Sequence, residues 1–152
     1  MAHSNVDRIR GFEQQLKALL GSTRIKYSEW PPSDTSALKT SAGIYHFFEE
    51  KDGAISSIYV GKASFGSGEW SLYQRLKQHF QPSQKNALLG KASKALNRTP
   101  DEIKHMFSNG DVYLQWLPIL AKTQGGAGNV ESELIWSECF CKAILKPTYT
   151  DA

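Results

Sequence analysis

Cysteine is scarce in this chain: the 152 residues hold only Cys139 and Cys141, two positions apart in a segment that reads as helix. At that spacing helical side chains diverge by roughly 200°, too far apart to bridge, so both are expected as reduced, buried thiols. A Cys-Phe-Cys pair with no histidine nearby is an equally poor metal site. No apolar run approaches the roughly 20 residues of a membrane span, and no basic start followed by an apolar stretch marks a signal peptide. Internal repeats, linkers, low-complexity tails, zinc modules and helix-turn-helix patterns are also missing. These absences predict a soluble, cytoplasmic protein without a membrane partner, folded as one domain over residues 1–152.

What the chain does contain is enough apolar material for a core: 40% of it is hydrophobic, with seven Phe, six Tyr and four Trp spread along its length. Its formal net charge of +3 and pI of 8.8 permit a polyanionic partner without requiring one. Distribution is more informative than the total. Lys85, Lys91, Lys94 and Arg98 stand in a stretch with no acid between them, a candidate DNA-binding surface that a solvated helical face would explain as well.

Val6, Ile9, Phe12, Leu16 and Leu19 recur at helical spacing, with Ser4 or Asn5 as cap and Gly21 as stop. Residues 22–41 lose periodicity and read as a surface loop, so residues 1–41 form a helix-plus-loop extension. Ala42 to Phe48 and Ile55 to Val60, joined through Asp52-Gly53, read as a hairpin. After a Gly/Ser-rich loop from Ala63 to Gly68, Trp70 to Phe80 carries a helical face in which Leu72, Leu76 and Phe80 align, flanked by Arg75 and His79.

A helix over Asn86 to Asn97 follows, and the capping box Thr99-Pro100-Asp101-Glu102 opens another through Phe107. Val112 to Ile119 reads as a strand and Lys122 to Asn129 as a loose, glycine-bearing segment. The last helix, Val130 to Leu145, is stopped by Pro147. The composite is an α/β (α+β) domain with a small, mainly antiparallel sheet flanked by helices.

Taken singly, strand tyrosines usually pack on their sheet, and a helical Arg, His or Glu is usually solvated. Their joint order is more specific. Gly43-Ile44-Tyr45 on one hairpin strand and Tyr59-Val60-Gly61-Lys62-Ala63 on the next, followed by Arg75 and His79 on a helix, resemble the GIY-YIG nuclease superfamily. The Tyr-Val-Gly-Lys-Ala run is similar to the N-terminal nuclease domain of the excision-repair endonuclease. The glycine-bearing insertion and the Arg75-x-x-x-His79 spacing are similar to restriction endonucleases of the same superfamily. The likeness covers residues 42–150. Glu138 stands nine residues before Pro147, with Tyr149 following, as the superfamily's metal-binding carboxylate does; Thr150 replaces its usual asparagine. Glu131, seven residues earlier on the same helical face, is the second candidate, whereas Glu133 points elsewhere.

The resemblance implies a GIY-YIG fold and a Mg²⁺-dependent endodeoxyribonuclease, restriction-like or repair-like, with Mn²⁺ able to substitute. DNA is the implied partner, engaged by a monomer or a homodimer. Hydrolysis requires a deprotonated water and charge stabilisation on the phosphoryl group. Tyr45 would take the water's proton and Tyr59 would orient the phosphate. Arg75 would present its guanidinium fork to the non-bridging oxygens, and His79 would assist proton transfer or contact the phosphate. Glu138 would bind the cation by oxygen. A phenol of unperturbed pKa about 10 is a weak base, so Tyr45 needs help from Lys62, Arg75 or the metal, and activity is expected to rise into the alkaline range. Two other readings share this scaffold: a catalytically inert DNA-binding module and a partner-binding protein.

Overall fold

The computed structural model describes residues 4–64, 71–121 and 128–150, with backbone alone at residues 120, 121 and 128–132. The glycine loop at residues 65–68, Trp70, the segment 122–127 and the Glu131 side chain lie outside the described residues.

The hairpin is the centre of the fold. Asp52 and Gly53 take φ of 51° and 79°, a two-residue turn whose twist matches the strands it joins, β2 (Ser41–Lys51) and β3 (Ala54–Ala63). β4 (Val112–Ala121) pairs with the other edge of β2, and the short β1 (Ile25–Lys26) lies beyond it. The order is β1-β4-β2-β3 with every pairing antiparallel. This is the α+β architecture expected.

Alternation along the strands sorts the side chains into two layers. Ile44 and Val60 face α1 (Asn5–Leu20) and α6 (Gly128–Leu145), where Leu16, Leu19 and Cys141 cover them. Tyr45, Phe47, Tyr59 and Ala63 face the opposite way. That layer is closed by α3 (Leu72–Gln78), α4 (Leu88–Leu96) and α5 (Pro100–Asn109), through Leu72, Leu76, Leu88, Leu89 and Ile103. With both faces covered, the first eight residues of β2 are buried without a break.

One of them is His46. Gln115 uses its amide nitrogen to donate to the carbonyls of Leu20 and Ser22, at 3.2 and 3.1 Å, so its oxygen faces His46 Nδ1 at 3.0 Å. Nδ1 therefore carries the imidazole proton, and Nε2 accepts from Ser57 Oγ at 2.8 Å. Burial holds this histidine below its ordinary pKa, in the neutral form.

Several local expectations are met and several are changed. Ser4 caps α1 by accepting from the Asp7 N–H at 3.2 Å. Val6 and Ile9 are nevertheless 56% and 50% exposed, because only the C-terminal end of α1 docks on the sheet. The capping box forms, with Thr99 Oγ1 accepting from the Glu102 N–H at 3.1 Å, and α5 runs on to Asn109. Cys141 is buried but Cys139 is exposed, which corrects the expectation that both are buried: side chains about 200° apart on one helix do not share its inward face.

Residues 22–41 are not a surface loop. They supply β1, a 3-10 turn at Tyr27–Glu29 and the short α2 (Ser36–Thr40). Tyr27 is buried against Phe80, ring centroids 4.3 Å apart, and Trp30 stacks on Phe80 at 5.0 Å and on Tyr73 at 5.7 Å. Among the described residues no helix is long and apolar enough to cross a membrane.

Candidate functional site

Tyr45 lies opposite Gly61 in the hairpin register and Tyr59 lies opposite Phe47, so the tyrosines are diagonal neighbours. Their rings stack with centroids 6.2 Å apart. Gly61 makes this possible: a Cβ there would fall 2.5 Å from both Cζ and Oη of Tyr45, so the ring can cross β3 only where a side chain is missing. His79 completes the cluster, 5.3 Å from the Tyr45 ring and 4.8 Å from that of Tyr59.

His79 ends α3 as its C-cap, where three contacts fix it. The Tyr27 hydroxyl donates to its carbonyl at 2.8 Å, and burial raises that phenol above its ordinary range, so it remains a donor. The Leu88 N–H donates to Nδ1 at 3.0 Å, and Nε2 lies 2.7 Å from Tyr45 Oη. These last two bonds settle the tautomer. Nδ1 accepts, so the neutral ring carries its proton on Nε2 and donates to the Tyr45 oxygen.

A cleft of about 400 Å³ opens over His79 and Tyr59. Arg75 and Gln78 of α3 form one wall, with Arg75 Nη1 donating to Gln78 Oε1 at 3.2 Å. Gln84, Asn86, Ala87 and Lys91 form the other. Tyr45 is fully buried behind His79 and is not among the described residues that line the cleft. A larger cavity of about 600 Å³ between α1 and α6 has Phe12 and Trp136 in its lining and, among the described residues, no tyrosine, histidine or cysteine. Glu133 lies there, directed away from the tyrosines as expected.

Glu138 and Lys62 belong to the other layer. Glu138 is buried on the inward stripe of α6 with Leu134, Ser137 and Cys141, 3.7 Å from the Lys142 ammonium. The Cys141 thiol is pushed up to about 11 by burial first and by the Glu138 carboxylate second. Lys62 pairs with Ile44, which places it by alternation on this face too, not beside Tyr45. The structure thus gathers Tyr45, Tyr59, Arg75 and His79 in one place, while Glu138 and Lys62 lie in the opposite layer. Among the described residues no group of three or more His, Cys, Asp or Glu gathers as a metal site. Mg²⁺ keeps several of its waters and takes one or two carboxylates plus substrate phosphate, so a single buried carboxylate fits its donor chemistry.

The basic stretch divides. Lys91 joins the cleft, whereas Lys85, Lys94 and Arg98 are exposed, and Arg98 is 3.8 Å from Glu102 one turn along. Sequence reasoning missed the cleft amides and Tyr27. Gln78 was findable, three residues after Arg75 on one helical face. Gln84 stands in a stretch with no periodicity to mark it, and Asn86, expected as the first residue of a helix, lies ahead of α4 in the connection. No protein-family model matches this chain, and no curated protein matches its sequence.

Proposed function

We propose that this chain is a metal-dependent DNA endonuclease on a GIY-YIG scaffold, acting on a phosphate held at the edge of β3, where the two layers meet. The observation that carries the reading is the directed Tyr45–His79 hydrogen bond beside Arg75. A donor fixed on a phenol oxygen favours the deprotonated form, so His79 supplies the assistance that a tyrosine base needs. Tyr45 then takes the proton of the attacking water. Tyr59 orients the phosphate, and Arg75 meets its non-bridging oxygens with a charged fork that Gln78 holds in place. His79 is a positioning residue in this scheme: with Nδ1 committed to Leu88, it acts through Tyr45.

Glu138 is the residue that would hold Mg²⁺, and the bound cation would supply positive charge for the departing 3′ oxygen. Lys62 would contribute charge from the same side. The full burial of Tyr45 favours a second reading, a module that binds DNA in the cleft without cutting it.

Nicking of supercoiled plasmid separates them. The wild type should cut with Mg²⁺ and not with EDTA; Glu138→Gln should be inactive and His79→Ala slower by about 10²-fold or more. Binding without cutting supports the inert module. Nucleic-acid binding that is absent or insensitive to salt overturns both and leaves a partner-binding protein.

A further inference from the structure

The cleft is more than a seat for a phosphate. Two cations, Arg75 and Lys91, and three carboxamides, Gln78, Gln84 and Asn86, line it, and none of its described lining residues is acidic. Gln78 is engaged with Arg75. Gln84 and Asn86 are exposed at the opening, and their side-chain amides make no hydrogen bond among the described residues. Each of these two amides offers an acceptor oxygen and a two-proton donor nitrogen side by side. That pattern suits neither a bare anion nor an apolar ligand. It suits an anionic group joined to a planar edge that presents a donor beside an acceptor, and a nucleotide is such a group.

We propose that Gln84 and Asn86 read the base of the nucleotide next to the cleaved phosphate, with preference for adenine, while Lys91 holds that nucleotide's own phosphate. The proposal rests on the nuclease reading and adds substrate selection to it. A carboxamide pairs in bidentate fashion with adenine N6 and N7, whereas guanine presents two acceptors on the same edge and leaves the amide donor–acceptor pair half matched. Sequence preference then comes from the α3–α4 connection rather than from the exposed cations Lys85, Lys94 and Arg98, which follow the backbone without reading it.

The test is selection of a randomised oligonucleotide pool by the full chain in EDTA, so that no cutting intervenes. Expected is enrichment of adenine at one position by about 5- to 150-fold, the range of one good bidentate contact. The double change Gln84→Ala with Asn86→Ala should level that position, with thermal melting unchanged because both residues are exposed. Lys91→Ala should weaken binding to every sequence alike and lower the salt slope by about one. An even base distribution from the wild type, or a preference that survives the double change or vanishes with Lys91→Ala alone, overturns this assignment and leaves the nuclease reading intact. Failure of the wild type to bind any oligonucleotide overturns both.

Discussion

At the scale of single residues, the chemistry depends on one missing side chain and one committed nitrogen. Gly61 lets the Tyr45 ring cross β3, so Gly61→Ala should force the ring aside. The expected cost is about 1 to 3 kcal/mol in chemical denaturation, with activity lost at temperatures where the variant is still folded. A variant as stable and active as the parent would show that the ring has room elsewhere. The Leu88 N–H on Nδ1 makes His79 a donor to Tyr45, so the two residues should act as a unit. Tyr45→Phe and His79→Ala are each expected to lower kcat by about 10²- to 10⁴-fold, and the double variant should be little worse than either single one. Multiplying effects would mean that the two work separately. The same pairing predicts a rate that rises with pH into the alkaline range, since the active form is the phenolate. A flat profile from about pH 6 to 10, in a step shown to be chemistry, would remove Tyr45 as the base.

At the scale of elements, β2 depends on its neighbours for more than backbone pairing. His46 ties it to β4 through Gln115 and to β3 through Ser57, and it is neutral because burial lowers its pKa. The unfolded chain takes up a proton there near the ordinary value of 6.5, which the folded chain resists. Unfolding therefore binds protons in this window, so the contribution of His46 is fully present above 6.5 and is lost as the pH falls below it. Urea midpoints of the wild type should fall between about pH 7 and 5 more steeply than those of His46→Gln. Parallel curves would show that the site does not titrate on unfolding. By contrast the exposed Arg98–Glu102 pair, one turn apart at 3.8 Å, should be nearly silent when removed.

At the scale of the whole molecule, residues 22–41 are part of the domain that carries the site. Tyr27 holds the His79 carbonyl from 52 positions away, and Trp30 packs on Phe80 and Tyr73. Tyr27→Phe keeps the ring and removes the hydroxyl, leaving a buried carbonyl short of a partner, which costs about 1 to 3 kcal/mol. Activity should fall further than this loss of stability explains, because the freed carbonyl lets the His79 imidazole drift from Tyr45. Unchanged kcat in a folded variant would show that Leu88 alone fixes the ring.

The chain's local chemistry determined the hairpin, the helices and most of their ends. Asp52-Gly53 permits only a tight turn, Thr99-Pro100-Asp101-Glu102 caps wherever it occurs, and apolar spacing marks a helix without reference to the rest of the molecule. The resemblance of their joint order to a nuclease superfamily singled out Tyr45, Tyr59, Arg75 and His79 as a set. It did not reveal that His79 donates, that Tyr45 is sealed behind it, that Lys62 and Glu138 approach from the other layer, or that Gln84 and Asn86 share the cleft with Lys91. Those facts depend on which strand lies beside which and on which face each helix covers. They are set by burial and hydrogen bonding between residues remote in sequence, and no local pattern along the chain encodes them.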